Sequence, residues 1–378
     1  MKPAVCFQLL KKIMKHYEIC FYSAFSCAMG DCPNTCCKGW RIVFDEETYH
    51  RYLNEPGKNG RRLRSAIKKT DGDVYFRDSV KRCVFYERSG LCSLQRTVGT
   101  AYMPQVCRIY PRFRQHYGSF AEETLFLSCP SAARLFLEHL DELTFVESGR
   151  EVDYERWGTN EDEAYLSWLC ELREALIGAL WDEKRSRGEI FGQLLAAMRD
   201  VQARCIEGKT LPAPAELLRA HEGAKAFHIG AATTDKLMTC GFYHSRLKRV
   251  SPRLYELCRL YFRTFDRLSA AQADARADAL VCVLHRNVPH AEHVLRGYIV
   301  YYIQMVFLEV YEDYSFIKKL ACGMMHVHML QLLLALHFEQ TGSLADGELA
   351  LLLSVYERRG RHNGEIAESM YEILYGSL

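Results

Sequence analysis

The spacing of apolar residues changes near residue 130. From Ser131 onward it is helical, as in Ala132, Leu135, Phe136 and Leu140, then Tyr165, Trp168, Leu169, Leu172, Leu176 and Leu180. The stretches 188–206, 214–228, 252–271, 272–286, 290–312, 316–338 and 345–358 repeat it. Breaks at Gly208–Pro214, Pro252, Pro289 and Thr341–Gly347 separate them. Before residue 131 the pattern is short and irregular. Six of the ten prolines lie there, with turn signals at Asp31–Asn34, Asn54–Gly60, Thr70–Asp73, Ser89–Gly90 and Tyr117–Ser119. Strands are predicted at Trp40–Phe44, Val74–Arg77, Val84–Tyr86, Arg112–Tyr117 and Phe120–Leu127, the last two forming a hairpin around Gly118. Asp45, Glu46 and Glu47 mark a helix start after the first of these. The expected fold is mainly α: a small, loop-rich, Cys-rich α+β module over 1–130, packed on an all-α domain over 131–378.

One segment resembles a membrane span. Leu320–Phe338 has no Asp, Glu, Lys or Arg over nineteen residues. It does hold His326, His328, Gln331 and His337, four polar groups that would be costly in hydrocarbon, so a buried core helix is expected. His326 and His328, two apart, would face opposite sides of it. Tyr298, Tyr301, Tyr302 and Phe307 read as core aromatics. The first eighteen residues scatter lysines and lack an apolar run, so the expected location is cytoplasmic.

Cysteine use changes the picture most. Of sixteen cysteines, ten fall before residue 131. Cys170, Cys205, Cys240, Cys258, Cys282 and Cys322 are single and widely spaced, and are expected to be small buried hydrophobes. The early set contains Cys27-x4-Cys32-x3-Cys36-Cys37, then Cys83, Cys92, Cys107 and Cys129. Thiolates converging from loops beside Pro and Gly build zinc or iron-sulfur centres. Gly30, Pro33 and Gly39 allow tight turns, Lys38, Arg41, Arg108 and Arg112 supply positive charge, and Cys129 precedes Pro130 at a helix start, where the dipole favours thiolate. Eight thiols exceed the four that one centre requires, so either two sites or one centre with spare thiols is open; adjacent Cys36 and Cys37 are expected to point apart. Cys-x3-Cys-x2-Cys is absent, since two residues after Cys37 comes Gly39.

Residues 1–130 hold 21 Lys+Arg against 12 Asp+Glu, and the remainder 28 against 35, so the two parts carry +9 and −7. A thiolate centre itself needs nearby positive charge, so nucleic acid is not called for. Dinucleotide, P-loop, nucleophile-elbow and zinc-protease motifs are all missing.

The segments FSCAMGDCPNTCCKGWRIVFDEETY (25–49), CVFYERSGLCSLQRTVGTAYMPQVCRIYPR (83–112) and LSCPSAARLFL (127–137) resemble, in order, the flagellin lysine-N-methylase family. The Cys-Cys and Cys-Arg-x-Tyr-Pro elements also resemble broader zinc- or iron-chelating Cys-rich domains. In the helical part only LRGYIVYYIQMVF (295–307) suggests the family. The resemblance implies S-adenosylmethionine-dependent methylation of flagellin lysines with a [4Fe-4S] cluster. Its metal residues would be Cys27, Cys32, Cys36, Cys37, Cys83, Cys92, Cys107 and Cys129, with most weight on Cys32, Cys36, Cys37 and Cys107. A non-catalytic zinc-binding interaction module and a reversible electron carrier are the other readings. No motif assigns a catalytic residue or a methyl-donor pocket.

Overall fold

The computed structural model describes residues 15–70, 72–77, 81–150, 162–242, 247–362, 364–376 and 378. Strands β1 (Lys15–Ile19), β4 (Arg112–His116), β5 (Phe120–Leu125) and β6 (Phe145–Glu147) form a four-stranded sheet in the order β4-β5-β1-β6. β1 runs parallel to β5, and the other two pairs are antiparallel. A second, two-stranded sheet joins β2 (Ile67–Thr70) to β3 (Asp73–Phe76).

Two hydrophobic cores result. A small one contains Ile42, Phe44, Tyr52, Leu63, Phe76, Cys83, Phe85 and Leu94, with Cys37, Trp40, Cys92 and Cys107 packed against it. The large one joins the helices to the four-stranded sheet, and takes in Ile19, Phe21, Leu125, Leu127 and Cys129 as well.

The helix Phe316–Thr341 runs through the large core, and buries 89% of its most apolar window. Among the described residues it alone is long and apolar enough to cross a membrane. His326 and His328 do face opposite sides: His326 Nδ1 pairs with the Tyr356 hydroxyl at 2.8 Å, and His328 Nε2 with Thr234 Oγ1 at 2.8 Å. Tyr298, Tyr301, Tyr302 and Phe307 are all buried.

Local signals account for much of this. The hairpin β4–β5 turns at Gly118, whose φ of 66° a residue with a side chain would resist. Asp45 caps the helix Glu46–Asn54, its Oδ1 accepting the Thr48 amide at 2.7 Å. Other expectations need correcting. Trp40–Phe44 makes one isolated bridge, Val43 to Tyr75, and Val84–Tyr86 folds into a turn closed by the Tyr86 amide on the Cys83 carbonyl. The helix expected over 214–228 ends at Ala220, because the chain beyond it must dock on the helix Arg187–Ile206: a Cβ at Gly192 would meet the Lys225 carbonyl oxygen at 2.1 Å. Cys258 and Cys322 are buried, Cys170, Cys205 and Cys240 half-buried, and Cys282 exposed, so it does not fill core.

The central strand carries an unusual load. Glu122 and Glu123 are adjacent on β5 and both buried. A buried carboxylate needs a paired cation. Arg173, from the helix Glu163–Leu180, meets Glu122 with two bonds of 2.8 and 2.7 Å, while Arg114 and Arg150 meet Glu123 on the other face. Glu122→Ala should therefore cost about 3–5 kcal/mol by stranding Arg173, whereas Glu122→Leu combined with Arg173→Met should cost much less. Urea denaturation of the three chains checks this, and equal losses in both variants would refute the pairing argument.

Candidate metal centre

The cysteine motif is carried by loops and short turns with little regular structure of their own. Cys27–Cys37 runs through turns and one short 3₁₀ segment, Met29–Asp31. The loop is pinned by backbone contact. Gly30 and Gly90 touch so closely that a Cβ on Gly90 would meet the Gly30 carbonyl oxygen at 2.7 Å. The Cys83 amide donates to the Cys37 carbonyl at 2.8 Å, and Tyr86 bridges to Cys92. Cys107 sits in the short helix Gln105–Ile109, and Cys129 is the N-cap of Pro130–Glu138, with Pro130 at its first position as expected.

The thiols fall into two groups. Cys83, Cys92 and Cys107 surround Cys37 closely enough for its charge to raise their pKa values; burial is the larger cause, taking Cys83 up to about 12 and raising Cys92 and Cys107. Cys27, Cys32 and Cys129 form the second, where burial again raises Cys32 and Cys129, and the neighbouring thiols add to it. Cys36 and Cys37 join the groups. The neighbouring Cys36 thiol is the largest cause lowering Cys37 to about 7, with Thr35, Arg358 and Lys38 assisting, and Cys37 in turn raises Cys36. Among the described residues no three cysteine sulfurs lie within 4.8 Å of one another, and no disulfide forms.

The cation at the centre comes from the far end of the chain. Arg358, on the helix Asp346–Gly360, donates from Nη1 to Asn34 Oδ1 (3.1 Å) and the Thr35 carbonyl (2.8 Å). Its Nη2 donates to the carbonyls of Asn34 (2.7 Å) and Ser128 (3.1 Å). Its guanidinium lies over the Trp40 ring at 4.9 Å, and Trp40 Nε1 donates to the Cys36 carbonyl at 2.8 Å. His362 pairs with Ser128 at 2.7 Å and sits edge-on to Trp40 and Phe126; burial, Arg361 and Arg358 lower its pKa to about 4, which keeps it neutral. The sequence singled out neither residue. Of the cations it did single out, Lys38 lies over Tyr86, Arg41 pairs with Asp73, and Arg112 lies over Tyr22 and Phe25.

The chain is similar to lysine-N-methylases. Over 137 residues, 34% of this chain, it is 27% identical to the Lysine-N-methylase of Salmonella typhimurium and to that of Salmonella choleraesuis. The match spans about a third, 34%, of each of those proteins. The Flagellar biosynthetic protein FliU of Salmonella muenchen is also 27% identical over 137 residues, and 81% of it is covered. No family model matches the chain, and no solved structure matches it.

If Arg358 holds the loop as its four bonds indicate, Arg358→Ala should loosen 32–37 locally by about 3 kcal/mol, since a charged donor leaves several carbonyls unmatched. Amide exchange at Cys37 and Cys83, which donate to Thr35 Oγ1 and the Cys37 carbonyl, would then speed up roughly a hundredfold, with the helical core unchanged. Protection equal to wild type at those amides would refute the assignment.

Proposed function

We propose that this chain is a protein-lysine N-methyltransferase acting on flagellin, with S-adenosylmethionine as donor and an iron-sulfur cluster of the [4Fe-4S] type on its thiols. The observation that carries the reading is the similarity to two proteins named lysine-N-methylase and one named for flagellar biosynthesis. The gathering of eight thiols from four separate segments supports the cluster.

The donor set suits that group. Cys37, Cys83, Cys92 and Cys107 would hold it: four soft ligands, half-buried or buried, whose ionised forms repel one another and need a central cation. Zinc would draw on the same soft thiolates, and the metal content of the purified chain separates the two. Bound, the cluster supplies a polar cross-link among loops that have only a small core. Cys27, Cys32 and Cys129 would remain as a second, smaller thiol group.

Methyl transfer requires a neutral lysine amine in line with the sulfonium methyl. The amine lone pair forms the new N–C bond as the C–S bond breaks toward sulfur, and the resulting ammonium releases its proton to water. Burial among aromatic walls, such as the helical part of the chain provides, lowers an amine's pKa and favours the reactive form.

Two measurements test the proposal. Anaerobically purified chain with flagellin and S-adenosylmethionine should add methyl groups to flagellin lysines, read by mass spectrometry; unmodified flagellin with cluster-loaded protein would refute the enzyme. Cys37→Ser or Cys107→Ser should lose most of the iron and sulfide. Cys205→Ser and Cys258→Ser should keep wild-type stoichiometry at a packing cost of roughly 1 kcal/mol. Equal metal in all four variants, or zinc in place of iron, would overturn the cluster.

A further inference from the structure

A cavity of about 820 Å³ lies in the helical part, and no motif in the sequence points to it. It follows one face of the helix Ala270–Asn287, lined in turn by Asp274, Asp278, Val281 and His285. Eleven residues separate the first of these from the last, which is about 16 Å of helix. The opposite wall is the helix Phe316–Thr341, through Met324, His328 and Gln331.

The two ends differ in charge. At the His285 end two guanidiniums share one carboxylate. Arg187 donates from Nε to both Glu292 oxygens (2.9 and 3.0 Å), and Arg296 Nε donates to Glu292 Oε1 at 2.9 Å. Arg296 is otherwise satisfied by the carbonyls of Leu180, Asp182 and Arg185. Arg187 is not. Its Nη2 reaches Gln331 at 2.5 Å, and its Nη1 makes no hydrogen bond among the described residues, although the side chain is only 12% exposed. His285 Nε2 is likewise buried with no partner among them. Two guanidiniums thus share one carboxylate, and Arg187 Nη1 is left able to donate, a combination that suits a carboxylate. At the other end Asp274 and Asp278 are exposed to the cavity mouth. Asp274 accepts the Ala231 amide at 2.7 Å, which caps the helix Ala231–Gly241 and closes it to anions. Phe227, Tyr261 and Phe265 supply aromatic wall.

A cavity with a cation at one end, acids at the other and aromatic rings in its walls matches an extended amino acid joined to a nucleoside: the carboxylate meets Arg187, the acids meet the ribose hydroxyls and the amine-bearing edge of the base, and the rings cover the base. We propose that this cavity is the site of the methyl donor and of its thioether product, with Arg187 binding the carboxylate; the inference rests on the methyltransferase reading. It further places the donor on the opposite side of the helix Phe316–Thr341 from the thiols. His328 belongs to the cavity face, while His326 faces Tyr302 and Tyr356 on the side of Arg361. The metal centre then does not touch the donor.

Calorimetry on the full, metal-loaded chain tests this with two probes, S-adenosylhomocysteine and 5′-methylthioadenosine, the latter lacking the amino-carboxylate. Arg187→Met leaves Glu292 paired with Arg296, so the charge balance of the folded protein improves. It should weaken S-adenosylhomocysteine about ten- to a hundredfold and leave methylthioadenosine unchanged. Asp278→Asn, at an exposed position, should weaken both probes several-fold, about as expected for one hydrogen bond. Both variants should keep wild-type iron and sulfide. Undiminished S-adenosylhomocysteine binding in both variants, or equal weakening of both probes by Arg187→Met, would overturn the pocket while leaving the enzyme reading intact. Failure of wild-type protein to bind S-adenosylhomocysteine would overturn both.

Discussion

The thiol region depends on one guanidinium. A loop that carries four cysteines between residues 27 and 37 buries little apolar surface, so packing alone cannot fix its shape. Arg358 supplies the missing constraint from 323 and 324 residues away in sequence, by donating to the backbone of Asn34 and Thr35 just ahead of the cysteine pair and to Ser128 ahead of Cys129. A planar fork suits this task better than an ammonium, because it can satisfy several fixed carbonyls at once and still lie flat on Trp40. The same charge stabilises a thiolate at Cys37. The helix Asp346–Gly360 can place it there because that helix packs along Pro130–Glu138, the helix Cys129 begins.

The same logic of buried charge runs through the junction of sheet and helices. Glu122 and Glu123 could stand together in a central strand only if cations reached both faces, and Arg173 on one side with Arg114 and Arg150 on the other do so. Deeper in, Glu357 is fully buried; desolvation raises its pKa, and the Tyr298 hydroxyl and Arg361 answer it. Arg361 lies in turn over Tyr301 and Tyr302. These pairs add little net stability over an apolar core but forbid alternative packings, since any shift would strand an ion.

What the sequence made legible follows from how local each signal is. The helix over 163–180, the Gly118 hairpin, the Asp45 cap and the opposed faces of His326 and His328 rest on neighbours within one or two turns, and all could be read from spacing. β1 could not, because Lys15–Ile19 alternates a histidine and a glutamate into positions that only the distant Arg150 and Ser148 make tolerable. The end of the helix at Ala220 depends on Gly188 and Gly192 accepting a returning chain, a fact of tertiary contact. Cysteine spacing pointed to the thiol region but not to Arg358 or His362, which belong to a helical stretch with no motif of its own. The cavity left no trace for the same reason: Arg187, His285 and Glu292 lie on three helices, and only the fold shows that one carboxylate is shared by two guanidiniums.

The placement of these two features bears on what a metal centre would be for. A single helix, Phe316–Thr341, has one face toward the cavity and the other toward the tyrosine and arginine cluster that leads to the thiols. A centre that bound the donor through an open metal position would need the donor beside the thiols, with the excess cation there. Arg187, in the cavity, pairs with the Glu292 carboxylate that it shares with Arg296, while Arg358 beside the thiols is committed to neutral carbonyls. On the proposed assignment the thiols would hold the N-terminal loops in shape and the helical cavity would handle the small molecule. The two faces are coupled only through the packing of the helix between them.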